Sequence, residues 1–141
     1  MAKYVVDASV GIKWFLPEPQ EEKAELLFAD GHTLFVPDLF YAEVANILWK
    51  RVHFGDMHPS IAANALAALD SFVLETSACA SLMSLALEIA IHAGCTVYYA
   101  LYVALAVESD AVLITADVRL CNLLSQDSLK KYILLLEDLK P

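Results

Sequence analysis

Three carboxylates in this chain fall where folding can aim them at one point. Asp7 closes the run "KYVVD", and Asp117 follows "VLITAD" two residues past its apolar stretch. Both runs are short, apolar and rich in β-branched residues or Tyr, so they predict buried strands at 3–6 and 111–115. An acid just beyond each strand stands at the carboxyl edge of a sheet. Glu43 lies inside "DLFYAEVANILWKRVHFG" (38–55). On a helix, Phe40, Val44, Ile47 and Leu48 share a stripe, and Glu43 sits at its edge beside Asn46. An acid at a core margin is costly unless it is paired, protonated or bound to a cation.

Acids converging from separate segments repel one another, and a hard divalent ion offsets that repulsion. Mg²⁺ and Mn²⁺ prefer oxygen ligands and keep several waters. Such an ion lowers the pKa of a bound water and braces a phosphoryl oxygen, which phosphodiester hydrolysis needs. Plainer readings stand beside this one. Asp7 and Asp117 each suit a helix N-cap after a strand. Glu43 suits an acid snorkelling toward Lys50.

The elements that must carry these residues alternate. Strands are expected at 3–6, 33–37, 73–77 (an edge strand), 111–115 and 132–136. Helices are expected at 8–16, 19–31 (stopped by Gly31), 38–55 (capped by Asp38), 58–72, 80–94, 97–109 and 116–126. The helix at 97–109 is apolar on all sides, hence central and buried. Alternating strands and helices imply an α/β fold with a parallel sheet of about five strands and right-handed crossovers. In such sheets the ligand crevice lies beyond the carboxyl ends of the strands. No repeat or linker divides the chain, so residues 1–141 are expected to form one domain.

Composition narrows the classes. Hydrophobic residues are 59% of the 141, too many for a disordered chain. The formal charge of −9 repels nucleic acid except where local cations or bound metal offset it. Three scattered cysteines (Cys79, Cys95, Cys121) suit buried thiols in the cytosol rather than disulfides or zinc. Residues 89–107 carry no charge, but His92 and the Gly94–Thr96 turn break them, so no membrane span is expected. The four histidines have no ligand spacing, and Trp14 and Trp49 read as packing residues. Phosphate-binding glycine loops are absent, "DASVG" lacks the second acid of a phosphoaspartate hydrolase, and a receiver domain's adjacent acids are missing.

Four stretches, "VVDASV", "AEVANIL", "YYALYVALA" and "LITADVRL", resemble in order and spacing a PIN domain of the VapC toxin type. The resemblance runs over roughly residues 3 to 125. It implies a three-layer α/β/α fold and a metal-dependent endoribonuclease that uses Mg²⁺ or Mn²⁺ to cut RNA. It implies an antitoxin protein as partner and a homodimer, and a cytoplasmic location goes with these. Carried over by position, Asp7, Glu43 and Asp117 match the family's metal-binding and catalytic acids. Ser9 and Thr115 match hydroxyls that line the site, with Asn46 beside Glu43. The high apolar content of the helices at 38–72 also favours a dimer.

One position departs from the pattern. The family's third motif reads Tyr-Asp-Ala-Leu-Tyr, whereas this chain has Tyr98-Tyr99-Ala100-Leu101-Tyr102. Thr96 reads as N-cap, which makes Tyr99 the third helical residue, a place that favours an acid. A neutral phenol is a poor ligand for Mg²⁺. The departure bears on activity, and it leaves open a second expectation: a weakened PIN domain that acts by binding antitoxin or RNA.

Overall fold

The computed structural model describes every residue except Met1, Asp30, Gln126 and Asp127. Among the described residues, five strands make one sheet: β1 (Lys3–Val6), β2 (Thr33–Pro37), β3 (Glu75–Ser77), β4 (Val112–Thr115) and β5 (Ile133–Leu135). All pairings are parallel, in the order β3-β2-β1-β4-β5. Seven α-helices among the same residues flank it: α1 (Ala8–Gly11), α2 (Glu21–Glu25), α3 (Leu39–His53), α4 (Pro59–Ala68), α5 (Cys79–Ala93), α6 (Val97–Ser109) and α7 (Val118–Leu124). The architecture is three-layer α/β/α, as expected. Each parallel connection needs such a crossover, and helices on both faces bury the sheet.

The order of strands fixes where a ligand can enter. The chain steps outward from β1 to β2 and β3, then returns to the other side of β1 to lay down β4 and β5. The reversal lies between β1 and β4, and the crevice at their carboxyl ends is the one such sheets use. Both strands are inner ones, and Val5, Val6, Leu113 and Ile114 are completely buried. That explains why they read as continuous apolar runs rather than alternating ones.

Helix α6 is the central one. Ala100 to Ala106 are all buried, and the small residues Ala100, Ala104 and Ala106 let it press against β1, β2 and β4. Thr96 caps it, its hydroxyl accepting from the Tyr99 amide at 3.4 Å. In its first turn Tyr98 and Tyr99 escape burial. Helices α5 and α6 meet at 115°, so no single helix among the described residues is long and apolar enough to cross a membrane.

Several boundaries differ from expectation. The helix expected over 8–16 is α1 plus a 3₁₀ turn, Ile12–Trp14, and that over 19–31 is α2 plus Leu26–Phe28. Gln20 enters α2 from a left-handed conformation (φ 65°), which starts it late. The parts of the expected helices that reach Asp30 and Gln126 lie outside the described residues. Asp38 precedes α3 but does not cap it: its Oδ1 accepts from the Cys79 amide at 3.0 Å and so serves the start of α5. Trp14 is a packing residue, stacked on Phe72 and donating to the Ala24 carbonyl. Trp49 is not, being 56% exposed and stacked on His53. The three cysteines are free thiols.

Candidate active site

Asp7 follows β1 directly and is the N-cap of α1, where its carboxylate accepts from the Val10 amide at 3.1 Å. The capping reading of this residue is therefore correct, but it does not exhaust the contacts. Ser9 donates to Oδ1 at 2.6 Å, and Thr115 at the end of β4 donates to Oδ2. The two hydroxyls are themselves held: Ser9 Oγ accepts from the Ala116 amide at 3.2 Å, and Thr115 Oγ1 from the Asp117 amide at 3.0 Å. One carboxylate thus fastens the carboxyl ends of the two strands at the reversal. It is only 6% exposed, and burial pushes its pKa up to about 6 against these donors, with the Glu43 charge adding to the rise. Among the described residues no side-chain cation forms an ion pair with it.

Glu43 comes to the same place from α3. It is half-buried, and the Tyr102 hydroxyl on α6 donates to Oε1 at 2.5 Å. Burial raises its pKa, and the Tyr102 bond opposes the rise. Tyr102 is buried beside two acids, which holds its phenol neutral and so keeps it a donor. This tyrosine was missed in the sequence, where it reads as one more apolar position of α6. Its signal is the spacing from Tyr98, one helical turn along the same face.

Asp117 caps α7, its Oδ1 accepting from the Arg119 amide at 2.9 Å and the Leu120 amide at 3.2 Å. Tyr99 stands opposite. The Asp117 carboxylate, as acceptor and as charge, holds the Tyr99 phenol in its neutral form, above the usual phenol range. The ring is 41% exposed.

A cleft of about 420 Å³ collects these groups. Asp7, Glu43, Asp117, Ser9, Asn46 and Tyr99 all line it, as does the cation Lys50. Thr115 does not; it is fully buried and acts on the cleft through Asp7. Six of the seven residues singled out in the sequence therefore share one surface, and the seventh braces the first of them from behind. Among the described residues no three His, Cys, Asp or Glu side chains form a ready-made cage for an ion.

The PIN domain family model matches residues 4–123. Ribonuclease VapC3 of Pyrobaculum aerophilum is 38% identical over 122 residues, 85% of this chain and 93% of that protein. Among solved structures, PAE2754 from Pyrobaculum aerophilum superposes with a TM-score of 0.66 at 25% identity, covering 96% of this chain and 85% of its own. A toxin-antitoxin complex from Klebsiella pneumoniae gives a TM-score of 0.63 at 10% identity, covering 93% and 95%, which shows a shared fold. With the motifs in register, the fold in place and the acids gathered at its strand reversal, this chain belongs to the PIN-domain family, in the branch of the VapC ribonuclease toxins.

Proposed function

We propose that this protein is an endoribonuclease whose acid cleft takes Mg²⁺ or Mn²⁺, and that Tyr99 lowers its activity. The observation that carries the reading is the meeting of Asp7, Glu43 and Asp117 on one cleft at the β1/β4 reversal. These acids offer oxygen ligands alone, which fits a hard ion that keeps most of its waters. The raised pKa of Asp7 fits too, since a buried carboxylate with hydrogen-bond donors but no ion-pair partner among the described residues gains most from a cation. Asp7 and Glu43 would hold the ion, with Asp117 as the third acid; the ion would supply an acidified water and charge stabilisation at the phosphoryl oxygens.

The chain's own groups do the positioning. Ser9, Thr115 and the Val10 amide fix the Asp7 carboxylate, so it needs little reorganisation. Tyr102 aims Glu43. Asp117, which lines the cleft, would take a proton from the attacking water as its oxygen bonds to phosphorus; the bond from phosphorus to the sugar oxygen breaks, and that oxygen takes a proton from solvent water. Lys50 offers the cleft a positive charge that attracts phosphate. Tyr99 puts a neutral ring where the family pattern has a carboxylate, and it shares the cleft with Asp117.

By analogy with the toxin-antitoxin complex, an antitoxin is the proposed protein partner. Exposed apolar residues on α3 and α4 (Trp49, Ile61, Leu66) and on α5 (Met83, Leu87, Ile91) give surface for it and for a homodimer. The cytoplasm, where RNA is present, is the proposed location.

Cleavage of a labelled RNA at increasing Mn²⁺ tests the reading. The parent should cut with saturable metal dependence, and Asp7→Asn should not cut. Cleavage that persists in EDTA would overturn it. A parent that binds an antitoxin or RNA but never cuts would favour the second reading, a binding protein, for which Tyr99 is the specific observation.

A further inference from the structure

The acid cleft adjoins a second cavity of about 280 Å³, and Tyr99 and Asp117 line both. The second cavity has a different character. Arg119, Thr96, Leu120 and Leu123 line it, so it offers a cation, a hydroxyl and apolar surface. A chain of formal charge −9 repels phosphates over most of its surface, so RNA must be held by local cations. Among the described residues one cation lines each cavity, Lys50 the first and Arg119 the second. Among those residues neither forms a salt bridge, whereas Lys13 and Arg51 are tied to Glu18 and Asp56. Arg119 and the Tyr99 ring line the same second cavity.

We propose that this second cavity is a subsite for one nucleotide of single-stranded RNA, next to the nucleotide held at the acids. Its base stacks on the exposed Tyr99 ring and its phosphate meets Arg119. The strand then runs from Lys50 past the acids, over Tyr99, to Arg119. Stacking on an aromatic face is the common way of holding an unpaired base, and it tolerates any base. A planar guanidinium suits the phosphate beside it. The phenol that displaces a carboxylate from the acid cleft thereby serves recognition. This inference rests on the ribonuclease reading above.

The test uses a fluorescein-labelled RNA hexamer, 2′-O-methylated throughout, with Mg²⁺ present and its length checked afterwards. Affinity is read by anisotropy across a range of salt. Arg119→Ala should weaken binding about tenfold and flatten the slope of log affinity against log salt by about 0.7, the share of one phosphate contact on a single strand. Arg119→Lys should recover most of that slope. Tyr99→Ser should lose about tenfold with the slope unchanged, and Tyr99→Phe, which keeps a ring, should recover the loss. A 4-thiouridine in the hexamer should crosslink to the peptide that contains Tyr99. Both side chains lie on the surface, and equal melting temperatures would verify folding. If the hexamer binds and every variant binds as the parent does, the subsite is wrong and the ribonuclease reading stands. If the parent neither binds the hexamer nor cuts RNA, both fall.

Discussion

The two walls of the cleft are built on opposite principles. The inner wall centres on Asp7, almost wholly buried, with donors from Ser9, Val10 and Thr115 on its carboxylate. The outer wall is Tyr99 and Asp117, both reached by solvent, with Asp117 shared between capping α7 and facing the phenol. A change at Asp7 disturbs two strands, a helix start and three hydrogen bonds. A change at Tyr99 disturbs little of the fold, because the helix behind it is held by Ala100 to Ala106. The inner wall is fixed by packing, and the outer wall is free to vary in function without loss of the fold.

The largest effect should come from discharging the inner wall. Asp7 has a folded pKa of about 6, raised from 3.8. The native state therefore keeps a proton that the unfolded chain has released, and stability falls as pH rises from about 4 through 6. At neutral pH the shift corresponds to about 3 kcal/mol of lost stability. Asp7→Asn should remove most of this loss, so urea unfolding without metal should give a steep fall with pH in the parent and a much flatter one in the variant. Glu43, whose pKa is also raised, leaves a residual slope of the same sign. Equal slopes would show that Asp7 is not held as described.

Gly11→Ala is the next, and it tests whether the inner wall depends on packing behind it. A Cβ at Gly11 would lie 2.6 Å from Cζ of Phe40, a ring that is itself completely buried. Overpacking at such a contact costs about 1–3 kcal/mol. Denaturation should register that loss, and a neutral result would mean that α1 and α3 shift apart freely.

On the outer wall, Tyr99→Asp should raise the cleavage rate at saturating RNA about tenfold, equal to ~1.4 kcal/mol of transition-state stabilisation. The same change removes the stacking ring, so KM should rise with kcat. Rates equal to the parent's would show that the three existing acids suffice. The smallest effect belongs to the link between walls. Tyr102→Phe removes the donor to Glu43, at a cost of about 1 kcal/mol. A double-mutant cycle with Glu43→Ala, which removes the acceptor, should recover that coupling, and additive losses would contradict it.

The sequence disclosed the strands and the acids that end them, because strand composition and strand-end position are local signals. Thr96 as N-cap was legible for the same reason. What escaped depends on partners distant in the chain. Asp38 looks like the cap of its own helix, yet its acceptor serves Cys79, and nothing in "VPDLF" records that. Tyr102 looks like core until α3 brings Glu43 to its hydroxyl. The helix expected at 19–31 starts late, at Glu21, because of a left-handed Gln20, a residue whose type gives no warning of it. The apolar content of 38–72 did not turn inward as a whole: α4 has no buried residue.

The central claim is that the acids of both walls hold one divalent ion, with Tyr99 in the place of a further ligand. Melting temperature against Mn²⁺ concentration tests it most directly, for the parent, Tyr99→Asp and Asp7→Asn side by side. The parent should melt higher as Mn²⁺ rises. Tyr99→Asp should begin lower without metal, from added repulsion, and respond at lower Mn²⁺. Asp7→Asn should not respond. If Asp7→Asn gains as much from Mn²⁺ as the parent, the ion binds elsewhere and the account of the cleft is wrong.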